Sequence, residues 1–327
     1  MSPPMSSTSF PEVLDATILT SFLSCQRHTY FSHFLNHSVA EPSIDLHAGA
    51  SFAAAVEAGR KAFYKHGNPD YRDIALEQLW ISFGNVFENV RKKDIKSLSF
   101  ALIEYFAEWP LEKSTLFPAN ELSIEHTFAI PLHQKHPETG HPLIYAGRYD
   151  WLAHDENGLL WIMDEKTTTS IGEKWADQWR LRFQFLGYLW AAHSMGLEPV
   201  GVIVRGIGLL KTKTTLVEVR LTFPRHLIGE WVSLRNRIIY SMIDSYKETM
   251  QSGENYNAFL PNFSSACTSY GGCPFMEVCL TEPSRREAKL KSSFSSRKWN
   301  PLSSNPEEDF HSPASISTPP LDWPDWS

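Results

Sequence analysis

Long apolar runs are missing from this sequence. None approaches the roughly 18 residues that a membrane-crossing helix needs, and the opening "MSPPMSSTSFPEV" has neither basic residues nor the apolar stretch of a secretory leader. Both absences point to a cytoplasmic protein without a membrane partner. Positive charge is also in short supply: 30 Lys and Arg stand against 37 Asp and Glu, a net charge of -7. That balance argues against coating nucleic acid by bulk electrostatics, which takes many cationic contacts to phosphate. Any such contact must be local, with "RKKDIK" from Arg91, "WRLR" from Trp179 and "RGIGLLKTK" from Arg205 as candidates, although basic runs are most often solvated faces. There is no internal repeat. Cysteine is rare and uneven: Cys25 alone, then Cys267, Cys273 and Cys279 together. In a cytoplasmic chain these are expected to be thiols or metal ligands rather than disulfides.

What is present is ample apolar material, 42% of 327 residues, enough for one large core or two modest ones. Up to about residue 120 the apolar positions recur at three- and four-residue steps, in Leu14 to His37, Asp45 to Lys65, "YRDIALEQLWISFGNVFENVRKK" and "SLSFALIEYFAEW", which predicts helices. The period then changes. "LSIEHTFAIPL", "LIYAGRYDWLAH" and "GLLWIMDEKTT" read as strands, the last two joined by the turn signal Asp155-Glu156-Asn157-Gly158. A helix is expected from Lys174 to about Met195, then strands "PVGVIVRGIGLL" and "TLVEVRLTF", then a helix from Pro224 to about Met250. This predicts an α/β fold with a central mixed sheet flanked by helices. The expected partition is 1–120 as a helical N-terminal lobe, 121–255 as the core, 256–285 as a Cys-rich clasp and 286–327 as a disordered Ser- and Pro-rich tail. In that tail Trp323 and Trp326, among Asp322 and Asp325, could dock a partner, though such tails more often have no role.

One strand ends unusually. "GLLWIMDEKTTTS" runs from apolar residues straight into Asp164, Glu165 and Lys166. Side chains alternate along a strand, so Asp164 and Lys166 share one face and Glu165 takes the other. With Glu156-Asn157-Gly158 as a three-residue loop and Gly158 left-handed, Asp155 falls against Leu159 and Asp150 against Asp164. Their Cβ atoms would then lie roughly 5 Å apart, and paired carboxylates raise each other's pKa unless a cation intervenes. Mg²⁺ favours such oxygens, and Lys166 lies where it can orient or deprotonate a metal-bound water. The competing reading is a surface hairpin with an ordinary ion pair at its tip. In the following helix Arg180, Gln184 and Tyr188 form one polar stripe able to grip a phosphodiester. Upstream, Glu57 in a largely apolar run is either a snorkelling surface residue or a further ligand.

Taken in order, "GRYDWL" (Gly147 to Leu152), "DEKTT" (Asp164 to Thr168) and "QFLGY" (Gln184 to Tyr188) resemble the motifs of RecB-like members of the PD-(D/E)XK nuclease superfamily, over roughly Leu14 to Cys279. The resemblance implies a restriction-endonuclease-like core. It implies a metal held by Asp150, Asp164 and the main-chain carbonyl of Glu165, with Lys166 as the catalytic lysine and Gln184 and Tyr188 placing phosphate and lysine. "GASFAAAVE" is similar to the family's helical Gly-x-x-Phe-His-x-x-x-Glu segment, with Glu57 at the Glu position but Ala53 where the family has histidine. His47 is the nearest substitute and a poor one.

Cys267, Cys273 and Cys279 are spaced by five intervening residues twice, without the two-to-four-residue gaps usual in zinc sites. With Cys25 they are similar to the four-cysteine clasp of AddB-type and CRISPR-adaptation nucleases, which implies a structural [4Fe-4S] cluster; structural zinc and four unlinked thiols are the alternatives. The whole pattern predicts a Mg²⁺- or Mn²⁺-dependent exonuclease acting on DNA ends or single strands in recombination or repair, with a phage among the candidate sources and a recombination or helicase partner met through the tail. The alternative is a nuclease-fold protein with weak or no catalysis that binds DNA or a recombination partner. A third possibility is an unrelated enzyme with an acidic hairpin.

Overall fold

The change from helical to strand period along the chain is carried into the structure, a computed structural model that describes residues 8–39, 43–84, 93–120, 122–209, 214–252, 256–269 and 272–302. In chain order the elements are β1 (Val13–Leu14), α1 (Ala16–Ser24), and α2 (Gln26–Thr29) with a π-helical turn at Tyr30–Phe34. Then come β2 (His37–Ser38), α3 (Ile44–His66), α4 (Tyr71–Phe83), α5 (Ile95–Glu108), β3 (Leu116–Pro118), β4 (Ile124–Lys135), β5 (Pro142–Asp155) and β6 (Leu160–Thr168). The remainder is α6 (Phe183–Ser194), β7 (Gly201–Leu209), β8 (Thr214–Leu221), α7 (Arg225–Gln251), α8 (Met276–Leu280), α9 (Arg286–Ser293) and β9 (Ser295–Ser296). The protein is α/β, with a mixed sheet and flanking helices.

Two compact units are assembled from separated segments. The first comprises Met1–Glu41, Phe128–Gly147 and Gly229–Ser327, the second Pro42–Thr127 and Arg148–Ile228. These boundaries differ from the partition expected from sequence. Helical periodicity marks where helices start and stop, whereas a compact unit depends on which apolar faces meet.

In the second unit the later half of β5 pairs antiparallel with β6, β6 runs parallel to β7, and β7 pairs antiparallel with β8. Glu165 lies opposite Arg205 in the β6–β7 ladder. On one face α3, α4 and α5 bury Phe52, Ala55, Leu79, Leu102 and Phe106 together with Ile207 and Leu209 of β7. Gly59 permits the close approach: a Cβ there would lie 2.9 Å from the Phe106 ring and 3.2 Å from Ala75 Cβ. On the other face of β7, a Cβ on Gly206 would lie 2.5 Å from the Trp175 ring. Helix was expected from Lys174, but α6 begins only at Phe183. Residues 174–182 form turns and a short 3₁₀ stretch at Asp177–Trp179, because tertiary packing of Trp175 and Trp179, both buried, overrides the helical period.

In the first unit β1 runs parallel to the start of β5, Val13 opposite Ile144 and Leu14 opposite Tyr145. Asp15 caps α1 by accepting the Ile18 N–H at 2.8 Å. Rings of Phe10, Tyr30, Phe34, Tyr246 and Phe259 pack together at 4.6 to 5.9 Å. The chain beyond Cys279 does not dissolve at residue 286 as its composition suggests. It forms α9, pairs β9 antiparallel with β2, and lays Trp299 Nε1 on Asp15 Oδ2 at 3.1 Å. The apolar contacts of Leu290, Phe294 and Trp299 supply what the Ser-rich composition hides. Residues 303–327, with Trp323 and Trp326, lie outside the described residues, as do residues 91, 92 and 210–213 of the basic runs.

Candidate active site

The β5–β6 hairpin follows the register that its turn implies. Gly158 takes a left-handed conformation at φ 75°, which its missing Cβ allows without strain. The Asp155 N–H donates to the Leu159 carbonyl at 3.0 Å, and Asp155 Oδ1 accepts from the Asn157 and Leu159 N–H groups at 2.9 and 3.0 Å. Pairing runs from His154–Leu160 to Trp151–Met163, so the next step sets Asp150 against Asp164. There the ladder is replaced by a side chain: Asp150 Oδ2 accepts the Glu165 N–H at 2.8 Å.

Asp164 is almost fully enclosed, 1% exposed, and Lys166 Nζ lies 2.7 Å from its Oδ2. Its Oδ1 accepts no hydrogen bond from the described residues. Lys166 keeps 28% of its side chain exposed, so the trio can be reached from solvent. Burial raises the Asp150 carboxyl well above its ordinary value; Asp164, Glu165 and Glu125 add to the rise, and Lys166 opposes it. Burial likewise raises Asp164 against the pull of Lys166. For Lys166 burial disfavours charge, but Asp164 and Asp150 outweigh it and hold the amine above the usual lysine range. At neutral pH it is an ammonium.

Glu165 points to the opposite face, as strand alternation requires. Its carboxylate is gripped by Arg60 of α3 through both oxygens, Nη1 at 3.3 Å from Oε2 and Nη2 on Oε1, and Oε1 also accepts from Tyr105 Oη at 2.9 Å. Burial works against its charge, yet Arg60, Arg205 and Tyr105 hold it below the ordinary carboxylate range. Tyr105 Oη accepts from Arg60 Nη2 at 2.9 Å and from Arg205 Nη1 at 3.2 Å, and burial pushes its pKa up to about 12. Arg205 Nε bonds Glu218 at 3.0 Å.

Of the remaining residues singled out in the sequence, Gln184 and Tyr188 form a pair on α6, Gln184 Nε2 donating to Tyr188 Oη at 2.8 Å. Arg180 does not share their stripe. It lies in the turn before α6, 73% exposed and 3.6 Å from Asp177. The neighbouring Arg182 is the guanidinium whose charge acts on both Asp164 and Lys166; its basic run "WRLR" was the available signal. Glu57 is ion-paired with Lys61 one turn on, and its charge reaches Glu125. Ala53 is half-buried on α3, and His47 Nε2 lies 2.9 Å from the Phe83 carbonyl, so His47 is occupied elsewhere.

Glu125 escaped the sequence reading. It is the second residue of β4, at φ 56°, a conformation uncommon for non-glycine residues. Its side chain is 9% exposed and paired with Arg148 at 2.6 Å. Burial, with Glu57 and Glu165, raises its pKa to about 7 despite Arg148.

In the first unit the segment around Cys25, remote in sequence, is hydrogen-bonded to the C-terminal segment that carries the other three cysteines. Asn262 Nδ2 donates to the Ser24 carbonyl at 2.6 Å, and the Leu260 N–H donates to Gln26 at 3.1 Å. The Cys273 N–H donates to the Cys267 carbonyl at 2.8 Å. All four thiols are free and partly exposed. Burial raises Cys273, and Cys25, Cys279 and Cys267 add to it; burial raises Cys279 too, with Arg27 drawing it down. Among the described residues, no three His, Cys, Asp or Glu side chains stand close enough together to hold a metal ion.

No known protein family and no curated protein matches the chain. Among solved structures, the crystal structure of SSO0001 is similar at 13% identity, over 68% of this chain and 84% of that one, with a TM-score of 0.27. A likeness of that size carries neither fold nor function across.

Proposed function

We propose that the protein is a metal-dependent DNA exonuclease with a PD-(D/E)XK-type core, acting at DNA ends or on single strands. The observation that carries this reading is the trio at the ends of β5 and β6: an enclosed Asp164, a half-buried Asp150 and a lysine ammonium, with Asp164 Oδ1 left without a hydrogen bond among the described residues. Two carboxylates plus the Glu165 carbonyl are hard oxygen donors suited to Mg²⁺ or Mn²⁺. When bound, such an ion polarises the scissile phosphate and lowers the pKa of the attacking water.

The chain's own groups divide the rest of the work. Lys166, charged and partly open to solvent, donates hydrogen bonds and offsets developing negative charge. Gln184, fixed by Tyr188, and Arg182 stand ready to hold a phosphodiester. The four cysteines are proposed to hold a structural [4Fe-4S] cluster, with zinc the second choice, because Cys25, Cys267 and Cys279 all lie within electrostatic reach of Cys273. A recombination or helicase partner would be met through the C-terminal tail, 286–327.

Lys166→Ala is expected to abolish Mn²⁺-dependent degradation of end-labelled single-stranded and duplex DNA while leaving the circular dichroism spectrum and iron content unchanged. Wild-type cleavage by that variant would refute the mechanism. A second reading, a DNA-binding relative without catalysis, is favoured by Ala53 in place of the family histidine. It predicts DNA retention in a gel shift with no degradation at any Mn²⁺ concentration.

A further inference from the structure

The Arg60 guanidinium is the most enclosed cationic group beside the site, with 2% of the side chain exposed, and none of the chemistry above uses it. It touches the immediate neighbours of both aspartates. It grips Glu165, which lies between Asp164 and Lys166, and it lies over the ring of Trp151, the residue after Asp150, 4.5 Å from the centroid. Tyr105 Oη completes the arrangement by joining Arg60, Glu165 and Arg205.

Stability alone is a poor reason for such a pair, because a buried Arg–Glu bridge seldom outperforms apolar side chains of equal volume. Its location suggests another. We propose that Arg60 is a positioning residue of this site: through Glu165 and Trp151 it braces the ends of β6 and β5 and so fixes the spacing of Asp150, Asp164 and Lys166. The β5–β6 register runs to Trp151–Met163, and beyond it the Glu165 N–H donates to Asp150 Oδ2 at 2.8 Å. The β6–β7 ladder holds Glu165 on its other side; toward β5, a carboxylate free to change rotamer would let the strand edge shift against Asp150. A forked guanidinium seated on an indole does not allow it, and a lysine, with a single point of charge, would hold it less firmly. The inference rests on the nuclease reading for its catalytic consequence, but not for its structural one.

The test compares wild type, Arg60→Lys, Arg60→Met and the double variant Arg60→Met/Glu165→Gln, which leaves no unpaired buried charge. Three quantities are measured: Mn²⁺ affinity by titration calorimetry, the single-turnover rate and KM on end-labelled DNA, and amide exchange across residues 160–168. Partners that orient metal ligands typically change affinity or activity by roughly 10- to 100-fold. A loss of that size is expected in Mn²⁺ affinity and rate for Arg60→Met and for the double variant, with KM within about twofold and a smaller loss for Arg60→Lys. Exchange should rise at Glu165 and its neighbours and stay unchanged at residues 160–163. A folded double variant with wild-type Mn²⁺ affinity and rate would overturn the proposal. Should the wild type neither bind Mn²⁺ nor cleave DNA, the nuclease reading falls by itself. Exchange then decides the bracing role: protection at Glu165 in the double variant equal to wild type would end it.

Discussion

Asp164, Glu165 and Lys166 are consecutive residues with three different environments. Asp164 is enclosed and met by Lys166, Glu165 is neutralised from behind by Arg60, and Lys166 keeps an opening to solvent. The acidic residue with a measurable pH signature is Glu125. Its folded pKa is about 7, above the ordinary glutamate value near 4.3. The folded state therefore binds its proton more tightly than the unfolded chain does. That contribution is fully present below about pH 4.3 and is lost as pH rises through about 7. Glu125→Gln should remove this loss and stabilise the protein at pH 8 relative to wild type by ~3.5 kcal/mol, with little difference at pH 4.5. Urea midpoints at the two pH values check it, and an equal effect at both would show that Glu125 is not the titrating group.

Among the elements, β7 is the one whose sequence is explained by both of its faces. Arg205 and Ile207 face the helices, and Gly206 faces Trp175, whose ring occupies the space where a Cβ would be. Gly206→Ala forces the indole away and with it the turn that leads into Arg182 and α6. Overpacking of this kind typically costs about 1–3 kcal/mol. The expected result is a lowered melting temperature together with weaker DNA retention; a variant as stable as wild type would mean that residues 174–182 can shift freely. The same packing explains why helical period overstated α6. The apolar positions at 175 and 179 read as helix face, yet they serve as plugs over the sheet.

Over the whole molecule, each compact unit draws on chain segments far apart in sequence. In the first unit, the C-terminal segment is fastened to the N-terminal helices by the Asn262–Ser24, Leu260–Gln26 and Trp299–Asp15 hydrogen bonds and by the stacking of Phe275 on Phe294. Four thiols in that fastening, bridged by a cluster, would close a loop of most of the chain, and cross-links over long loops stabilise strongly in the chain-entropy model, by roughly 4 kcal/mol or more. Cys25→Ala is expected to give colourless, poorly soluble protein. A soluble variant with full iron content would remove Cys25 from the ligand set.

The sequence by itself determined the local geometry of the site. A two-residue strand period, a Gly158 turn and a fixed hairpin count place Asp150 against Asp164 with Lys166 beside them, because these relations depend on backbone steps and turn chemistry within one hairpin. Gln184 and Tyr188 were legible for the same reason, being one helical turn apart. Only the tertiary structure decided who stands behind them. Arg60 lies 105 residues from Glu165, Glu125 gains its raised pKa from burial and from charges on other elements, and the charge of Arg182 acts on Asp164 and Lys166 in a segment that Trp175 and Trp179 pull out of helix. Such pairings arise from which apolar faces find each other in the folded chain, and no periodicity along the sequence records that.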